Sequence, residues 1–126
     1  MLGLRRIRDL CREGSVLLVE TATFADANRF PLMLCPTGRD SPYEPTSCTF
    51  FNIAGFTQTV RSIGFAVARH CSLMNLPLVE VAPDQPAPID RTVFTCMRDT
   101  GLDDRVTLDY WDDGAARPPN WKGETS

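Results

Sequence analysis

The chain has 126 residues, 43% of them apolar and 23% charged, with a net charge of −3. That is the length of one domain and ordinary globular usage, which argues against disorder, collagen-like repeats and coiled coils. The longest strictly aliphatic run, VLLV at Val16–Val19, falls far short of the ~20 apolar residues that cross a bilayer.

The opening MLGLRRIRDLCREG has no apolar stretch after its arginines and carries Asp9 and Glu13. It therefore does not resemble a secretory signal, and a cytoplasmic protein is expected. Within it Leu4, Ile7, Leu10 and Cys11 fall at helical spacing, with Arg5, Arg8, Asp9 and Arg12 on the other side, predicting an amphipathic helix ended by Gly14. SVLLVETA follows with apolar residues on both parities, the pattern of a strand covered on both faces near a sheet centre. RFPLMLC carries Pro31, so a strand there belongs at an edge or begins late.

Pro36–Ser47 contains three prolines and reads as a long loop with Tyr43 as its one large apolar group. CTFFNIA, rich in aromatic and β-branched residues, is predicted as a third strand, and three strands in sequence suggest an antiparallel meander. GFTQTVRSIGFAVARHCSLMN places Phe56, Val60, Ile63, Val67, Cys71 and Met74 three or four residues apart, predicting one long helix. Gly64 then lies in its middle, where a close crossing with another element would explain it.

PLVEVAP is predicted as a fourth strand. Residues 91–98 are favoured as a short helix capped by Asp90 and stopped by Gly101, although TVFTCM is equally rich in strand formers. RVTLDYW alternates as a last strand would. The expected fold is α+β, a two-layer sandwich in which one long amphipathic helix and an N-terminal helix cover an about five-stranded, mostly antiparallel sheet. A mixed sheet, with a parallel pair joined across the long helix, is the alternative. Residues 1–111 form the expected single domain, and residues 112–126 a polar, flexible tail.

The candidate chemistry is sparse. Five cysteines, at positions 11, 35, 48, 71 and 96, are an odd number with no two close together, which fits neither a disulfide framework nor a zinc ribbon. A phosphatase-type loop needs an arginine six residues after its cysteine, and Cys35, Cys48, Cys71 and Cys96 meet Ser41, Ala54, Pro77 and Leu102 there instead. His70 adjoins Cys71, but neighbours on a helix point about 100° apart, so that pair is not its own dyad. The aspartates 103, 104, 109, 112 and 113 match no EF-hand spacing and read as a solvated end of the sheet. No metal or cofactor is expected.

These features favour a small non-catalytic protein that binds another protein, as an accessory, assembly or regulatory factor. Arg39, Tyr43 and Glu44 of the loop are the expected contacts, with Arg5, Arg8 and Arg12 as a second surface. Homodimerisation through an uncovered sheet edge is a related reading. The alternative is a cysteine-dependent enzyme or thiol sensor using Cys35 or Cys48 with His70. A second alternative, nucleic-acid binding by the arginine-rich first helix, is disfavoured by a pI near 5.0.

Overall fold

The computed structural model describes residues 2–27, 30–36, 39, 49–81 and 87–103. It is an α+β fold with two helices, α1 (Leu2–Leu10) and α2 (Ile53–Ile63), and five strands. The strands are β1 (Val16–Phe24), β2 (Met33–Leu34), β3 (Phe50–Phe51), β4 (Phe65–Ser72) and β5 (Ile89–Arg98). They form one sheet in the order β2-β3-β1-β5-β4.

β1 takes the central position its sequence predicts. Its partners differ from a meander, because β3 lies beside it in parallel, joined at Thr23 and Phe51, while β5 runs antiparallel along its whole length from Val16 opposite Met97 to Phe24 opposite Ile89. β2 is an edge strand, begins after Pro31 as expected, and pairs antiparallel with β3. The sheet is thus mixed, and both strands of its parallel pair precede α2 in the chain, so the pair is not the one expected across that helix.

The predicted long helix is two elements. Asn52 caps the first, its Oδ1 accepting from the Gly55 N–H at 2.7 Å. Gly64 ends it with φ 105°, the left-handed conformation that satisfies the last carbonyls of a helix, its N–H reaching Arg61 O and Val60 O. Phe65 then opens β4, which pairs antiparallel with β5 from Phe65 opposite Arg98 to Ser72 opposite Thr92. A bulge between Val67 and Arg69 shifts the alternation. The helical spacing of Val67, Cys71 and Met74 was a coincidence of this bulged strand with the preceding helix.

The favoured helix at 91–98 is likewise a strand, and Asp90 caps nothing helical. Its carboxylate accepts from the Ser72 hydroxyl, from the Arg91 N–H at 2.6 Å and from the Met74 N–H at 3.3 Å, tying the end of β4 to the start of β5. Gly101 lies instead in a 3-10 turn, Thr100–Leu102, whose cap Asp99 accepts the Gly101 N–H at 2.9 Å. The described part of PLVEVAP, residues 77–81, contributes a single parallel bridge between Asp26 and Val79 rather than a strand. RVTLDYW and the predicted tail lie outside the described residues.

The core lies on one face of the sheet. Alternate β5 side chains Phe94 and Cys96 meet Phe56 and Val60 of α2 and Phe65 of β4, with Leu4 and Cys11 packed against them from the α1 side. The Phe56 and Phe94 rings lie 4.1 Å apart between centroids. On the opposite face Val16 and Leu18 of β1 and Met97 of β5 are exposed, so β1 is not covered on both faces by the described residues.

Candidate functional site

The first helix departs most from the expected orientation, and that departure creates its surface. The stripe turned to the body is Leu4, Arg8 and Cys11, spaced i, i+4 and i+7. Arg8, expected on the outer side, is only 8% exposed. Its guanidinium reaches back to Asp9, with Nε 3.0 Å and Nη2 2.8 Å from Oδ1, while its stem lies along the body. This arginine holds the Asp9 carboxyl below its ordinary range, chiefly through the hydrogen bond itself.

The chain leaving α1 fixes this rotation. Cys11 N–H donates to Arg8 O at 2.9 Å, and the Arg12 N–H to Ser15 Oγ at 3.0 Å. Gly14 turns with φ 76°, and its N–H donates to Arg98 O at 2.9 Å, docking the turn on β5. Glu13 reaches across to the 3-10 turn, accepting both the N–H and the hydroxyl of Thr100 at 2.7 Å. Those two bonds, the hydroxyl first, hold the Glu13 carboxyl below its ordinary range.

With Leu4, Arg8 and Cys11 turned inward, Ile7 and Leu10 face outward, 38% and 87% exposed, although their spacing predicts burial. At 100° per residue Arg6, Leu10, Gly3 and Ile7 share an arc of about 100° on the outer side of the helix. Arg6 is exposed within this arc, Arg12 is exposed beyond the end of the helix, and Arg5 is half-buried. Sequence reasoning missed Arg6, Ile7 and Leu10 as surface residues. The signal available was the second stripe at the same spacing, Gly3, Ile7 and Leu10, which competes with Leu4, Arg8 and Cys11 for the inward side.

The remaining expected contacts are dispersed. Arg39 is exposed, whereas Tyr43, Glu44 and Cys48 lie outside the described residues. Cys35 is exposed at the end of β2, with Sγ 3.7 Å from Thr49 Oγ1. His70 is exposed on β4 and stacks obliquely on Phe94, ring centroids 6.0 Å apart. Among the described residues no hydrogen bond joins His70 to a cysteine, and Cys71, its neighbour on a strand, points to the opposite face. Cys96 is fully buried, and burial pushes its thiol above the ordinary value. Of the acidic cluster, Asp103 is bound to Arg98 through Nη1 at 2.8 Å and Nη2 at 2.6 Å, and Asp104 onward lies outside the described residues. Among the described residues no three His, Cys, Asp or Glu side chains gather as a metal site would require.

A shallow groove of about 300 Å³ runs between Pro31 and Leu32 and the outer side of α2, over Phe51 and Gly55. Its polar lining is Gln58, Thr59 and Ser62, and the two hydroxyls are already bonded to backbone, Thr59 Oγ1 to Gly55 O at 2.8 Å and Ser62 Oγ to Thr59 O at 2.6 Å. Such a lining offers shape and apolar contact but no titratable group for acid or base chemistry. Among the described residues no helix is long and apolar enough to cross a membrane. No protein-family model matches the chain and no match to it is found among curated proteins or solved structures, so its function is argued from its own surface.

Proposed function

We propose that this protein acts by binding another protein, as a non-catalytic accessory, assembly or regulatory factor. The observation that carries the reading is α1, which commits Leu4, Arg8 and Cys11 to its own body and leaves Ile7 and Leu10 outward beside Arg6. An exposed apolar pair on a helix otherwise held to the body supports a contact there, alongside the other exposed apolar side chains such as Val16, Leu18 and Met97. Arg39 of the long loop, with Tyr43 and Glu44, is the second proposed contact.

Native mass spectrometry of the tagged protein purified from its source cells, at low and moderate salt, tests the reading. A stoichiometric protein partner is the expected result. A chain recovered alone would overturn it, and an isolated chain with a small adduct on one cysteine would move the assignment to thiol chemistry.

A further inference from the structure

We infer that residues 105–111 add to the open edge of β4 as a sixth strand, parallel to β4, with Asp109 set beside Arg69. The inference is independent of the protein-binding reading above. β4 ends the sheet, with β5 as its one partner among the described residues, so its far side carries a row of backbone donors and acceptors that another strand would satisfy. His70, on the core side opposite the buried Phe94, and Arg69, on the other side opposite Thr95, are both exposed. The described residues thus cover neither side of β4 there, although the core continues under its neighbour.

The chain is delivered to that edge. Past Arg98 it starts on the β1 side, where the Thr100 N–H and hydroxyl donate to Glu13 at 2.7 Å. It ends on the β4 side, where the Asp103 carboxylate accepts from Arg98 at 2.8 and 2.6 Å and lies 2.5 Å from the position of a Gly64 Cβ. The 3-10 turn therefore crosses the end of the sheet toward β4, and Asp104 alone separates it from residue 105. A strand leaving that point runs opposite to β5 and so parallel to β4, and seven extended residues span about 23 Å, close to the length of the eight-residue β4. Val106, Leu108 and Tyr110 alternate with Thr107, Asp109 and Trp111, the period of a strand with one side on a core. Started beside Phe65, the segment brings Asp109 within about one position of Arg69, the offset that the bulge in β4 introduces. Arg69 contacts Thr95 Oγ1 at 3.5 Å and no carboxylate among the described residues, so an acidic neighbour suits it. β4 has no acidic residue of its own, and a second copy paired through this edge would bring one Arg69 toward the other with nothing to oppose them.

Peptide-resolved hydrogen exchange of the full chain tests this. In wild type the amides of residues 105–111 and of β4 are expected to be protected together. Leu108→Pro, which removes a donor from the middle of the added strand, should speed exchange of both peptides at least tenfold while β1 keeps its protection. Arg69→Asp should speed both at least threefold, and Asp109→Arg in the same chain should reverse that change; this exposed pair keeps the test open should Leu108→Pro fail to fold. Because the contact lies within one chain, protection should be the same across about a fiftyfold range of protein concentration. Unprotected amides at 105–111 in wild type, a β4 indifferent to Leu108→Pro, no rescue by Asp109→Arg, or protection that rises with concentration as a second copy would give, overturns the inference.

Discussion

Gly64 combines two constraints that no other residue type meets together. Its φ of 105° disfavours any side chain, and a Cβ there would collide with Nη1 of Arg98 and lie 2.5 Å from Asp103 Oδ1. Its carbonyl meanwhile accepts from Arg98 Nη1 at 2.9 Å and from the Asp99 N–H at 3.0 Å. Gly64→Ala therefore strains the helix end and disturbs a nearly buried ion pair at once. A loss of about 2–4 kcal/mol is expected from these two sources, read as a lower urea midpoint at unchanged slope.

Asn52 is as fully engaged, with 1% of its surface exposed. Its Oδ1 accepts from Gly55 and Leu32 N–H groups at 2.7 and 2.9 Å, and its Nδ2 donates to Asp26 Oδ2 at 2.9 Å and Phe30 O at 2.7 Å. Asn52→Asp keeps the helix cap but turns a donor toward Asp26 into a second carboxylate. Two facing carboxylates repel in this buried site and lose the Asn52 donor, so the variant should lose about 2–4 kcal/mol near neutral pH, read as a lower midpoint in thermal melts.

At the scale of elements, the Glu13–Thr100 contact clamps the turn after α1 to the turn after β5. The Glu13 carboxyl is held below its ordinary value of 4.5, so the clamp contributes fully above that pH and is lost as the pH falls through the lowered value. Wild type should therefore lose stability below about pH 4.5 more steeply than Glu13→Gln, whose amide does not titrate there. Parallel slopes for the two proteins in acid melts would show that the clamp contributes nothing.

How much of this was legible in the sequence differs from element to element. α1, the central position of β1 and the late start of β2 after Pro31 followed from local pattern and proline chemistry. The split at Gly64 was also written locally, as a glycine just after the last apolar position of a helix. It was hidden because Val67 and Cys71 happen to fall on the helical period in the sequence, although the bulge in β4 pairs them with opposite faces of β5. β5 was misread because Asp90 and Gly101 look like helix boundaries, whereas their roles depend on Ser72 and Asp99. The outward turn of Ile7 and Leu10 was not legible, since it is set by hydrogen bonds of residues 12–15 to β5 and to each other. Local pattern names an amphipathic helix but not which of two competing stripes the rest of the chain will claim.

Across the whole molecule, reactivity of the thiols should follow burial. Among the described cysteines, alkylation under native conditions is expected to be fast at the exposed Cys35 and Cys71, slower at the half-buried Cys11 and slowest at Cys96, whose thiol pKa is pushed up by burial. Peptide mapping after a timed pulse of iodoacetamide gives that order directly. Rapid labelling of Cys96 would mean that the layer between α2 and the sheet opens readily.

The pairing of β1 with β5 joins residues 65 to 81 positions apart, so the centre of the sheet closes one of the longest loops the described chain allows. At synthesis rates of about 5–20 residues per second, β1 would wait roughly 3–16 s before its antiparallel partner exists. During that interval Leu17 and Val19, together with the outward Val16 and Leu18, form an apolar ribbon whose edge toward β5 is open. The newborn chain thus passes through a window in which its most central strand is its most adhesive, and its yield in the cell should depend on what shields β1 until β5 arrives.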